Sequence, residues 1–251
     1  MRKIIIVTSS YGENYIKRIG GQVGVLSLIK QSGADGVEIR RELLTQTELI
    51  TLAQLSQEIS KIKLYCVYSV PFPLFISKRI NSQLRQYFAE ASELNAKLIK
   101  FSLGDFQHSD EAIFVLKKVL CEYPEIKLVV ENDQKKNSGS LVKMKHFADW
   151  IRQDNLPITL AFDTGNWVWT NENVQTAANV LAEQIGYIHV KSTSLNLTGE
   201  PIAVPPKNED DEYLKIAKQF SQDVWQGIEF PLVGDDLIGI SSYFVNLLKG
   251  Q

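Results

Sequence analysis

Residues 158–192 read ITLAFDTGNWVWTNENVQTAANVLAEQIGYIHVKS. This stretch contains two short β-rich runs, Ile158–Asp163 and Gly186–Ser192, joined by a longer segment with helical periodicity. A strand, a helix and a second strand in this order form a βαβ unit, whose two strands lie parallel in one sheet. The stretch therefore predicts part of a parallel α/β sheet.

The same alternation continues toward both ends of the chain. The eight β-rich runs are Lys3–Ser9, Gly36–Glu42, Lys63–Val70, Leu98–Gly104, Lys127–Asp133, Ile158–Asp163, Gly186–Ser192 and Gln226–Phe230. The segments between them are helix-periodic, and Thr45 to Glu48 forms a predicted capping box. Eight units of about 31 residues fill the 251-residue chain, and no Pro/Gly/Ser-rich linker divides it. We therefore predict an α/β protein with a single domain, residues 1–251, folded as a (β/α)8 barrel.

Composition and motifs exclude several other classes of protein. The net charge of −2 gives no basic surface for nucleic acid or anionic lipid, which favours a small-molecule partner. A dinucleotide-binding sheet needs a glycine-rich turn directly after its first strand, and Gly20 to Gly24 comes about ten residues too late. Cys66 and Cys121 form no CxxC pair. No apolar run approaches the ~18 residues of a membrane span, so we expect a cytoplasmic protein.

Side-chain alternation predicts a cluster of metal ligands inside the barrel. Successive side chains of a barrel strand point alternately to the interior and to the helices. In the fifth to eighth runs this alternation turns one good ligand inward near the end of each strand: Glu131, Asp163, His189 and Glu229. Carboxylates that share a closed interior need a cation or a proton to neutralise them. Three carboxylates and one imidazole suit one divalent ion, Mn²⁺, Mg²⁺, Co²⁺ or Zn²⁺.

Several motifs of the chain resemble those of the xylose isomerase-like TIM barrel superfamily. This group contains sugar isomerases and epimerases, inosose dehydratases and endonuclease IV. The resemblance rests on the second-strand segment GADGVEIR (33–40), on VEN (130–132), FDTGN (162–166), IHVK (188–191) and GIE (227–229). It implies that the metal ligands of the family correspond to Glu131, Asp163, His189 and Glu229.

The sequence also departs from the family at several positions. Asn166 stands where many members have His, and Asn137 stands where some ketose epimerases have a second acid. Lys191 matches a frequent family lysine, but Ser192 replaces the Asp that often follows it. Endonuclease IV needs a histidine-rich cluster for three zinc ions, and this chain contains three histidines in all. We therefore expect no DNA repair activity.

The resemblance implies proton transfer next to a substrate carbonyl, through an enediolate that the metal stabilises. We predict that Glu131 and Glu229 are the proton-transferring pair and that Asp163 and His189 mainly hold the ion. Lys191 either steadies the developing oxyanion or forms an ion pair with Glu38.

Further predicted substrate-binding residues come from the second strand and the loops. Arg40 binds a substrate anion or belongs to a charge ladder with Glu38 and Glu42. We also predict substrate contacts from Glu38, from Asn166 through a hydrogen bond to a hydroxyl, and from His108. Trp167 either stacks on a sugar ring or packs within the protein.

Three functions remain open at this stage. The first is a metal-dependent sugar or sugar phosphate isomerase or epimerase. The second is a lyase of the inosose or dehydroshikimate dehydratase type, and the third is a binding barrel that has lost catalysis. Family members are often homodimers or homotetramers, and we expect the same of this chain.

Overall fold

A computed structural model describes residues 2–250. The two end residues of the predicted domain lie outside this range. Within it, the strands are β1 Ile4–Val7, β2 Gly36–Arg40, β3 Tyr65–Ile76, β4 Arg79–Ile80, β5 Leu98–Gly104, β6 Lys127–Glu131, β7 Ile158–Asp163, β8 Ile185–Val190, β9 Ser192–Leu195, β10 Pro201–Val204 and β11 Trp225–Ile228.

Helices alternate with the strands along the chain. They are α1 Glu13–Arg18, α2 Leu26–Gln31, α3 Gln46–Ile50, α4 Leu52–Lys61, α5 Leu84–Glu93, α6 Asp110–Glu122, α7 Lys136–Gly139, α8 Leu141–Gln153, α9 Trp167–Thr170, α10 Val174–Leu181, α11 Glu212–Gln219 and α12 Leu237–Lys249. Short 3-10 helices cover Thr8–Tyr11, Gln22–Val25, Arg41–Leu43 and Ala182–Gln184. The predicted capping box is present, because Thr45 and Glu48 exchange both hydrogen bonds at the start of α3.

Eight parallel strands close into a barrel. Their order around the ring is β2, β1, β11, β8, β7, β6, β5 and β3, and pairing between β2 and β3 closes it. Each predicted β-rich run corresponds to one of these strands, so the (β/α)8 fold is confirmed. Within residues 2–250 no helix is long and apolar enough to span a membrane.

Two apolar layers set the depth of the polar residues. The larger layer lies between the strands and the helices. The smaller one fills the lower barrel interior with Ile5, Val67, Leu98, Val129, Ala161 and Tyr187. In parallel strands the residues that follow these positions by two point to the same interior, one level closer to the carboxyl ends. This next level is where the barrel becomes polar.

The structure contains two β-hairpins in addition to the eight predicted barrel strands. The third barrel strand was predicted to end at Val70, but β3 continues to Ile76 through an irregularity after Ser69 and pairs antiparallel with β4. The hairpin of β9 and β10, between β8 and α11, was not predicted. Its first strand, Ser192–Leu195, is mostly polar, and Leu195 and Leu197 are exposed.

Candidate metal centre

The four predicted ligands lie together at the carboxyl ends of adjacent barrel strands. Glu131 ends β6, Asp163 ends β7 and His189 is the penultimate residue of β8. Glu229 follows β11, and its backbone N–H donates to the carbonyl of Val190 at 3.1 Å. Each of the four offers one ligand atom, and these atoms all lie within 4.8 Å of one another. Active sites of this type of barrel are built at the same end.

The distances from Nδ1 of His189 suit ligands of one shared ion. Nδ1 lies 2.7 Å from Oε1 of Glu131, 3.1 Å from Oε2 of Glu229 and 4.0 Å from Oδ2 of Asp163. Metal–ligand bonds of about 2.1 Å leave the ligand atoms of one ion about 3 to 4 Å apart. These four residues would therefore hold one divalent ion between them.

Three of these ligand atoms are buried and lack a hydrogen bond. They are Nδ1 of His189, Oε1 of Glu131 and Oδ2 of Asp163. The short contact between Nδ1 and Oε1 does not have hydrogen-bond geometry. Oδ2 of Asp163 has an ion-pair contact with Nζ of Lys191 at 2.8 Å but no hydrogen bond. Because buried polar atoms are normally hydrogen-bonded, three atoms without a hydrogen bond that converge on one point fit a bound cation.

The charges around the centre also match a divalent ion. Five carboxylates, Glu38, Glu42, Glu131, Asp163 and Glu229, face three permanently cationic side chains, Arg40, Lys100 and Lys191. With a neutral imidazole at His189, two negative charges remain. An uncompensated charge of this size is costly inside a protein, and one divalent cation removes it.

In the metal-free protein, protons provide part of this compensation. Burial raises the pKa of Asp163 to about 7, against the opposing effect of Lys191. Burial would lower the pKa of His189, but Glu229 and Glu38 raise it well above its usual value. Burial would raise the pKa of Glu131, but Lys100 and His189 lower it to about 2. Protonation of Asp163 and of His189 therefore competes with binding of a metal ion.

We accordingly expect Mn²⁺ affinity to rise with pH. Below the pKa of Asp163, about 7, each unit of pH should strengthen binding at least about tenfold, because ligands must lose their protons to bind the ion. Competition with a chelator of known affinity, between pH 5.5 and 7, measures this slope. An affinity that stays constant over this range would contradict the assignment of Asp163 as a ligand.

Lys100 is a site residue that the sequence analysis missed. It lies on β5, is buried, and its Nζ contacts Oε2 of Glu131 at 2.6 Å. The alternation that was applied to the last four runs also turns Lys100 inward, together with Leu98 and Ser102. The inward position of Lys100 was therefore predictable from the fourth run, Leu98–Gly104. That run contains no candidate metal ligand, so its inward residues were not considered.

Lys191 and Arg40 both bind Glu229. Nζ of Lys191 lies 2.9 Å from Oε2 of Glu229 and 2.8 Å from Oδ2 of Asp163, so the predicted ion pair with Glu38 is replaced by these contacts. Arg40 contacts Oε1 of Glu229 at 2.9 Å and Glu42 at 2.7 Å. The guanidinium group therefore belongs to a charge network.

A polar cavity of about 310 Å³ opens over the ligands. Its walls include Arg40, Lys100, Lys135, Asn166, Lys191 and Glu229. Asn166 lies on this wall, and its amide group donates to the carbonyl of Asn132 and accepts from Gln134; its contact with a substrate stays a prediction. The cavity has the charge and hydrogen-bonding groups to receive a small, oxygen-rich molecule.

Three predicted substrate-binding residues lie away from this cavity. Trp167 is 0% exposed and packs on Phe162, because the short helix α9 turns it back into the core. His108 is 54% exposed and lies beside Trp150 and Asp154. Glu38 is inward but lies at the level below His189, where it is 0% exposed. These three expectations are corrected accordingly.

Comparison with protein families gives one match, to the xylose isomerase-like TIM barrel model over residues 26–218. The matched region is more than half of the chain. Comparison with curated protein sequences gives no significant match.

Solved structures share the fold at low sequence identity. The 3-keto-D-glucoside 4-epimerase YcjR from E. coli is 14% identical, with a TM-score of 0.66 and full coverage of both chains. The IOLI protein with a bound zinc atom is 15% identical, with a TM-score of 0.71 over 98% of this chain and 97% of its own. The probable 3-DHS dehydratase AsbF from Bacillus anthracis is 14% identical, with a TM-score of 0.67 over 98% of both chains.

Proposed function

This chain belongs to the xylose isomerase-like TIM barrel family, and from that premise we propose that it is a divalent-metal-dependent isomerase or epimerase of a sugar or sugar phosphate. One observation carries the proposal: three buried ligand atoms without hydrogen bonds converge beside a polar cavity. The named epimerases among proteins of the same fold support it.

When bound, the ion would polarise the substrate carbonyl and offset the negative charge that develops on its oxygen. Glu131 and Glu229 carry out the proton transfers, and one carboxylate oxygen of each lies near Nδ1 of His189, at 2.7 Å and 3.1 Å. Each carboxylate keeps one oxygen toward a cation: Oε2 of Glu131 toward Lys100 and Oε1 of Glu229 toward Arg40. These cations keep the carboxylates ionised, so that one of them can accept a proton from the carbon beside the carbonyl.

The second glutamate completes the reaction as the acid once it has taken up a proton from solvent. When the first carboxylate takes its proton, the electron pair of the C–H bond forms a C=C bond and the carbonyl π pair moves to the oxygen, which gives an enediolate. Return of a proton to the opposite face of the same carbon gives an epimer; return to the neighbouring carbon, with the hydroxyl proton passing to the other oxygen, gives an isomer. Lys191 is a cationic donor within the cavity wall and would stabilise the enediolate oxygen.

The test is exchange of substrate hydrogen with solvent. Mn²⁺-loaded protein is incubated in D₂O with ketohexoses, pentuloses, their phosphates and inososes, and the substrate C–H signals are followed by NMR. The proposal expects metal-dependent loss of one C–H signal from at least one sugar, with chelator-treated protein as the control.

Other outcomes of this experiment identify the alternative functions. An enone absorbance that grows with an inosose or with dehydroshikimate would replace the isomerase by a dehydratase. Absence of exchange with every candidate, in protein that holds a full equivalent of metal, would overturn the enzymatic proposal and favour a binding protein.

A further inference from the structure

Glu38 lies directly beneath His189, on the opposite side of the imidazole from the ligand cluster. Oε2 of Glu38 is 2.8 Å from Nε2 of His189, whereas the other ring nitrogen, Nδ1, faces the remaining three ligands. Both side chains are 0% exposed. The contact joins β2 and β8, which are far apart in sequence.

We infer that Glu38 is a positioning residue that fixes the tautomer of His189. An ionised carboxylate can only accept hydrogen bonds, so the proton between the two groups belongs to Nε2. A neutral imidazole has a single N–H, and placing it on Nε2 leaves the lone pair of Nδ1 free for a metal ion. A carboxylate partner on the far nitrogen of a ligating histidine orients the ring and strengthens it as a ligand.

The surrounding residues keep the Glu38 carboxylate in place. The hydroxyl of Tyr187 donates to the same oxygen, Oε2, at 2.7 Å. Gly227 leaves room for this arrangement, since a Cβ atom there would lie 2.4 Å from the Tyr187 hydroxyl and 2.9 Å from Cδ2 of His189. The carboxylate is therefore held against the imidazole by a second donor in a fully packed layer.

Two donors at one oxygen favour the ionised form of Glu38. The Tyr187 hydroxyl and Nε2 of His189 both lie within hydrogen-bond distance of Oε2, and a carboxylate oxygen can accept from both. The inference rests on the metal site of the proposed function and does not depend on the substrate or the reaction. It gives Glu38 a role although the residue cannot reach the cavity.

NMR of the zinc-loaded protein with ¹⁵N-labelled histidine tests the inference on the unaltered chain. The chain has three histidines, His108, His146 and His189, so the spectrum is simple to assign, and Zn²⁺ is diamagnetic. We expect a proton bonded to Nε2 of His189 and none on Nδ1. A proton on Nδ1, or zinc bound through Nε2, would overturn the inference while leaving the metal site intact. Failure to bind zinc would overturn the proposed function as well.

Three variants provide an independent readout through zinc affinity. Glu38→Leu removes the acceptor and should weaken zinc binding by about 10- to 100-fold. Glu38→Gln retains an amide oxygen that can accept from Nε2, and should restore most of the affinity. Tyr187→Phe removes the other donor to the same oxygen but keeps the carboxylate acceptor, so its zinc affinity should fall less than that of Glu38→Leu. Unchanged affinity in a folded Glu38→Leu protein would contradict the positioning role.

Discussion

Asp163→Asn is expected to abolish stoichiometric Mn²⁺ binding, with an affinity loss of more than about 100-fold, since loss of a residue that only orients a ligand already costs about 10- to 100-fold. Oδ1 of Asp163 accepts hydrogen bonds from the backbone N–H groups of Gly165 and Asn166, both at 2.9 Å. Oδ2 faces the other ligands. In the variant, the amide oxygen of asparagine can take the place of Oδ1 and accept the same two backbone hydrogen bonds. Its NH₂ group then lies where Oδ2 was, and an NH₂ group does not bind a metal ion.

Elemental analysis by inductively coupled plasma mass spectrometry measures the effect. Parent protein and variant are loaded with Mn²⁺, passed through a desalting column and analysed for metal per chain, and the series is repeated with Zn²⁺ and Co²⁺. Glu42→Gln is the control for loss of charge alone: this carboxylate binds Arg40 in the same charge network but is not among the four ligands, so the variant should keep its equivalent of metal. A full equivalent of metal in Asp163→Asn would remove Asp163 from the site.

The ligand cluster could be predicted from sequence because barrel geometry turns a local pattern into a spatial one. Side chains alternate with a period of two, and the parallel strands end on one face of the barrel. The inward positions of Glu131, Asp163 and His189 followed from the apolar residue that precedes each of them and faces the helices. The register of β7 and β8, which aligns Asp163 with His189, then brings these side chains to one level.

The alternation of side chains could not predict how deep in the barrel an inward residue lies, or which side chain it contacts. Glu38 was correctly turned inward, but its position beneath His189 depends on the stagger between β2 and β8, which alternation does not contain. Trp167 lies beyond the end of its strand, where alternation no longer applies, and a helical turn decides its direction. The ion pair of Lys100 with Glu131 depends on the alignment of β5 with β6.

Lys191→Met is expected to separate catalysis from metal binding. The substitution leaves all four ligands in place and removes the ammonium group that contacts Asp163 and Glu229. The variant should therefore still bind one equivalent of Mn²⁺. Its rate of C–H exchange on the substrate identified by the D₂O screen should fall by about 10² to 10³, the typical effect of losing one donor to a developing oxyanion.

We expect the metal ion to stabilise this variant more than it stabilises the parent. Without Lys191, the buried carboxylates of Asp163 and Glu229 lose a counter-ion, and an unpaired buried charge costs several kcal/mol, about 3–5. The protein should accordingly be purified with Mn²⁺ present, and its thermal midpoint should rise more on metal addition than that of the parent.

Lys135→Met provides the control for this experiment. Lys135 lies on the wall of the same cavity but is exposed, so its loss removes one positive charge without disturbing the buried network. If Lys191→Met retains both the metal and the parent exchange rate, Lys191 only neutralises carboxylates. The other outcome is that Lys191→Met loses exchange but retains the metal, while Lys135→Met remains active. Neither the metal site nor the overall charge of the cavity then accounts for the loss of exchange. In that case the ammonium group of Lys191 acts on the reacting oxygen itself.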